Sequence, residues 1–142
     1  MSEKYASIIV IMDKHISLAL FHIFIVVPLF FVVGFMRASA PTWLYNILFI
    51  MGAVILVYHG YKLLYRYSKG SSYSWVNALH VVAVAPLLIY IGAKQKETPR
   101  AAYELILMLA FAAFGYHVYS MVAQLQIHDA TPVSAQTSNK SV

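Results

Sequence analysis

Four histidines, His22, His59, His80 and His117, stand inside long apolar runs where ionisable side chains are costly. Neutral imidazole is a good ligand for iron, copper and zinc, so the chemistry open to them is ligation of a haem or a metal ion. A proton or ion path is a second use. His59 and His117 each belong to a Tyr-His-x-Tyr group, which adds Tyr58, Tyr61, Tyr116 and Tyr119 to the same candidate polar layer. A plainer role competes with ligation. Histidine and tyrosine are amphipathic, favour the membrane interface, and can hydrogen-bond from helix to helix. Haem needs two histidines facing each other across helices, and spacing alone leaves that open. No Gly-x-Ser-x-Gly, His-Glu-x-x-His, phosphate-binding loop or pair of carboxylates is present. The chain therefore reads as a non-enzyme with no catalytic residues.

The elements that must position these residues are transmembrane helices. Hydrophobic residues make up 61% of the 142 and charged residues only 11%, where a soluble domain carries about 25% charged. A helix needs about 20 apolar residues to cross the hydrocarbon core. Four runs qualify: roughly Ile16 to Met36, Trp43 to Tyr61, Trp75 to Ala93, and from Pro99-Arg100 to about Val122. They are too long and too uniformly apolar for barrel strands. Short connections make consecutive helices antiparallel neighbours. The expected class is an all-α integral membrane protein, a four-transmembrane-helix bundle. Its parts are an N-terminal segment (1–15), a first hairpin (16–66), a linker (67–74), a second hairpin (75–123) and a polar tail (124–142). Ala38-Ser39-Ala40 resembles a signal-peptide cleavage site, but Pro41 follows and the apolar run is long, so the first span is expected to remain.

Cysteine is absent, which excludes disulfides and cysteine-ligated metal. The net charge of +5 is spread over loops and helix ends without a basic arm, which argues against nucleic-acid binding. Lysines and arginines lean weakly toward the N-terminal side, so both termini are expected on the same, cytoplasmic face. Glu104 follows Arg100 by four residues, the spacing of a helical ion pair.

Shifted by 58 residues, the sequence overlays itself without a gap. His22 falls on His80, Pro28-Leu29 on Pro86-Leu87, Gly34 on Gly92, Pro41 on Pro99, Tyr45 on Tyr103, Tyr58-His59 on Tyr116-His117, and Tyr61 on Tyr119. Such residues are rare in spans and seldom match by accident, which points to a tandem duplication. With two spans per copy, the repeats are parallel, related by a pseudo-two-fold axis along the membrane normal. Pro28 and Pro86 lie near mid-membrane, where each removes a backbone donor and can kink its helix. Gly34, Gly52, Gly60 and Gly92 would allow helices to approach closely.

In size, composition and layout the chain resembles the small multi-spanning inner-membrane proteins of large icosahedral DNA viruses, which contact minor capsid proteins. The resemblance implies a structural or assembly component of a virion membrane, its tail docked on a protein of the capsid shell. Its partners would be the lipid bilayer and that shell protein, in a state compatible with an oligomer, and with no cofactor. The alternatives are an electron carrier with haem or metal on the histidines, and a small channel or transporter.

Overall fold

The computed structural model describes residues 15–70 and 74–129, with the side chains of 127–129 left aside. The N-terminal segment before His15, the middle of the linker and the tail from 130 onward fall outside the described residues. Among the described residues, four helices are long and apolar enough to cross a membrane: α1 (His15–Ser39), α2 (Thr42–Ser68), α3 (Trp75–Glu97) and α4 (Arg100–Asp129). They fit a multi-pass membrane protein. The α4 helix runs past Val122, where its apolar span was expected to end. Gln124 to Asp129 contains no glycine or proline to stop it, and a helix leaving lipid can continue in water.

The described chain divides into two compact units. One is Pro28–Phe111; the other gathers α1 through Val27 with α4 from Ala112. Within Pro28–Phe111, α2 and α3 pack along their length, and the turns that end α1 and α3 touch each other. Buried positions recur at helical spacing: Leu44, Tyr45, Leu48 and Gly52 on α2, and Ala102, Tyr103, Ile106 and Ala110 on α4. On α3 the buried set is Ala85, Leu88, Ile91 and Gly92. Lipid tails are as apolar as leucine, so close packing and polar contacts, rather than escape from water, hold such faces together. The outward faces are lined with large apolar side chains, among them Phe35, Val57, Val82 and Met108.

Glycine makes the approach of α2 to α3 possible. A Cβ on Gly92 would lie 2.6 Å from the backbone nitrogen of Phe49 and 2.7 Å from the carbonyl oxygen of Tyr45. One on Gly52 would lie 3.0 Å from the Ala85 carbonyl oxygen. Gly34 faces the Leu107 side chain. Gly60 differs from the expectation: nothing lies within 4 Å of the place its Cβ would occupy.

Neither intramembrane proline ends its helix. Each follows a five-residue π-helical turn, His22–Val26 before Pro28 and His80–Val84 before Pro86. A proline ring clashes with the carbonyl four residues back, and a wider turn relieves that clash without breaking the helix. Both prolines face outward.

Helices α1 and α3 end in matching 3-10 turns, Arg37–Ser39 and Gln95–Glu97. Arg37 and Gln95 both have φ of 51°, and Gln95 combines it with ψ of −123°. That region belongs to glycine, and an L residue held there costs about 1–3 kcal/mol. Glycine also raises the entropy of the unfolded chain, which offsets about 0.5–1 kcal/mol of the relief. Arg37→Gly and Gln95→Gly are therefore each expected to stabilise the protein by about 1 kcal/mol in reversible unfolding from mixed micelles. A loss of stability in both variants would show that these turns are not strained.

Candidate functional site

The four histidines are half-buried and come together in pairs. His22 of α1 stacks on His117 of α4, ring centroids 4.2 Å apart and planes 25° apart. His59 of α2 stacks on His80 of α3 at 4.1 Å and 9°. Each pair thus joins two helices by the flat faces of its imidazoles.

Hydrogen bonds fix how the rings sit. The Nδ1 of His22 lies 2.8 Å from the carbonyl of Leu18, and that of His80 lies 2.7 Å from the carbonyl of Val76, one turn back in each case. A carbonyl only accepts, so Nδ1 is the donor in both rings. His59 is held differently. Its Nδ1 lies 2.9 Å from Oδ1 of Asn77, on α3. Asn77 is buried, 3% exposed, and its Nδ2 has no hydrogen-bond partner. Sequence reasoning passed over Asn77, because the residue 58 positions earlier is Ala19 and the repeat pattern does not mark it.

The tyrosines expected beside the histidines point largely outward. Tyr58, Tyr61, Tyr116 and Tyr119 are 46–74% exposed. Tyr58 packs edge-on against His59 and Tyr116 against His117. Lys62 lies over the Tyr58 ring at 4.8 Å, and Tyr61 stacks on Tyr65. This suits an interfacial belt, in which aromatic faces meet lipid and cations meet headgroups. Arg100 and Glu104 form the expected ion pair at 2.6 Å, with side chains 75% and 48% exposed. At that exposure the pair contributes little to stability and faces away from the packed interior.

The most buried polar contact lies elsewhere. Tyr45 and Tyr103 are 0% and 1% exposed, and their hydroxyl oxygens are 3.0 Å apart. The Tyr45 hydroxyl also reaches the carbonyl of Arg37 at 2.6 Å, and that of Tyr103 the carbonyl of Gln95 at 3.0 Å. Each tyrosine so pins the strained turn that precedes its own helix. The register match of Tyr45 with Tyr103 was visible in the sequence, but nothing there marked them as touching.

The two rings of a pair do not share a ligand between their faces. A metal ion sits about 2 Å from each ligating nitrogen, in the plane of the ring. Rings stacked face to face at 4.1 Å and 4.2 Å leave no room between them for an ion or a porphyrin. Among the described residues, no three of His, Cys, Asp and Glu gather to hold a metal.

No protein-family model matches this chain, and neither do the curated proteins or the solved structures.

Proposed function

We propose that this chain is a non-enzymatic structural and assembly component of a membrane, built by tandem duplication of one helical hairpin. The observation that carries the functional reading is where the polar groups of the spans direct their bonds. His22, His80, Tyr45 and Tyr103 bond to backbone carbonyls, and His59 bonds to Asn77. The tyrosines and His59 bond from helix to turn or helix to helix, while His22 and His80 bond back into their own helices and meet their neighbours by stacking.

Several features that recur 58 residues apart support the duplication. The π turns begin at His22 and His80, and the positive-φ residues are Arg37 and Gln95. The tyrosine bonds to those two turns correspond, as do the histidine bonds to Leu18 and Val76. The shift carries the pair His22–His117 onto His80–His59. Parallel repeats about a pseudo-two-fold axis, with both termini on the same face, follow from two spans per copy, and the lean of lysines and arginines toward the N-terminal side favours the inner face. The resemblance in size and layout to viral inner-membrane proteins suggests a virion membrane as the location and a shell protein as the partner of the tail.

The pairing of imidazoles between helices favours one second reading, a haem or metal carrier in which each pair opens to take its ligand. An absorption spectrum of gently purified protein across roughly 350–700 nm, oxidised and then reduced, separates the two readings. The structural reading expects no Soret band and no stoichiometric metal by elemental analysis. A Soret band that shifts on reduction and disappears in His-to-Ala variants would sink it.

A further inference from the structure

The tyrosine bridge contains more contacts than protons. Three oxygen–oxygen distances, 2.6 Å from Tyr45 to Arg37, 3.0 Å from Tyr103 to Gln95 and 3.0 Å between the hydroxyls, all lie within hydrogen-bonding range. Both carbonyls are acceptors only, and each hydroxyl has one proton. Two protons can serve two of the three contacts. If both are given to carbonyls, two hydroxyl oxygens face each other at 3.0 Å with lone pairs only, in a site without water access, which is unfavourable.

The alternatives are two arrangements of equal bonding. In one, Tyr45 donates to Arg37 and Tyr103 donates to Tyr45. In the other, Tyr103 donates to Gln95 and Tyr45 donates to Tyr103. Moving between them needs only that both hydroxyls rotate. Neither arrangement strands a carbonyl, because Arg37 also accepts from the Ala40 N–H at 3.0 Å and Gln95 from the Thr98 N–H at 3.1 Å. The two states contain the same number of hydrogen bonds, and the strained turns they pin are in contact.

We propose that Tyr45 and Tyr103 form a two-state latch that clamps one of the two inter-helix turns at a time, so that tightening the α1–α2 turn releases the α3–α4 turn and the reverse. The latch makes the two turns reciprocal: whatever fixes the backbone at Arg37 draws the Tyr45 proton there and leaves Gln95 with its backbone partner alone. It requires nothing of the histidine pairs and stands apart from the proposed function.

Amide hydrogen exchange on the full chain in lipid bilayers tests it. The Ala40 and Thr98 amides each report on one turn. In Tyr45→Phe, Tyr103 has only Gln95 left to donate to. The Ala40 amide should exchange faster, and the Thr98 amide slower by about twofold if the two states are equally populated. Tyr103→Phe should give the mirror image. A variant that loosens both turns, or leaves the opposite turn unchanged, overturns the latch. The unmodified chain provides a second readout should a variant not fold. With tyrosine labelled at 13Cζ, rapid hydroxyl rotation averages the donor-only and donor-and-acceptor environments, so Tyr45 and Tyr103 should each give one sharp line at similar shifts, and two widely separated lines that mark one fixed arrangement overturn the proposal.

Discussion

Gly92→Ala is expected to be the most damaging addition of a single methyl group to this protein. Its Cβ would lie 2.6 Å from both the nitrogen and the Cβ of Phe49, and 2.7 Å from the Tyr45 carbonyl oxygen. Those are atoms of the α2 backbone or fixed to it, so no rotamer change relieves the overlap. The helices must separate, and α2 and α3 then lose packing along their shared face. Overpacking costs about 1–3 kcal/mol where side chains can adjust, and a clash with backbone belongs at or above the upper end. Tyr45 is one of the residues pushed away, so the tyrosine bridge would loosen as well. Gly52→Ala is expected to cost less, since its nearest backbone neighbours would be 3.0 Å away. In Gly34→Ala the obstacle is the Leu107 side chain, from Cγ outward, which can change rotamer where backbone cannot. Gly60→Ala and Gly115→Ala meet nothing within 4 Å and should be neutral or stabilising by up to about 1 kcal/mol through helix propensity. Unfolding in mixed micelles gives the whole series. If Gly92→Ala proved as mild as Gly60→Ala, the close contact of α2 with α3 would be wrong.

This ordering is also a measure of how much the sequence reveals. The four helices were legible because length and apolarity alone decide whether a helix can span a bilayer, and because only helices or closed barrels satisfy the backbone there. The positions of the glycines were legible too, but not their partners. Gly60 and Gly92 look alike in sequence, and only the rotation of each helix about its axis decides that one meets a backbone and the other meets nothing. The same rotation decides which imidazoles stack. Spacing marked four histidines as a group, while the pairs His22–His117 and His59–His80 depend on helix facing, to which an apolar sequence with outward tyrosines gives little guide. Asn77 was hidden for a different reason. It is one polar residue in a run read for its apolarity, and its counterpart in the first half is an alanine.

That asymmetry leads to the second large effect. His59→Ala is expected to cost about 2–4 kcal/mol. It removes an aromatic stack worth about 0.5–1.5 kcal/mol. It also strips the His59 partner from the Oδ1 of a buried amide whose Nδ2 is unpartnered among the described residues; such a loss costs about 1–3 kcal/mol. His117→Ala loses its stack on His22, and the position in α1 that matches Asn77 is Ala19, so the loss of the Asn77 contact belongs to His59→Ala. The cause can be isolated by a double-mutant cycle. Asn77→Ala alone removes an unsatisfied donor and leaves His59, which is only half-buried, able to reach other partners, so its cost should be small. In the His59→Ala background it should recover about 1–2 kcal/mol, a coupling typical of residues in direct contact. A ligand site makes the opposite forecast. If the histidines were held for haem or metal, His59→Ala and His117→Ala would act through loss of the bound group, both would respond to its removal, and Asn77→Ala would rescue neither. Rescue by Asn77→Ala would therefore place the energetic importance of His59 in the packing of α2 against α3, while additive losses would return the histidine pairs to consideration as ligands.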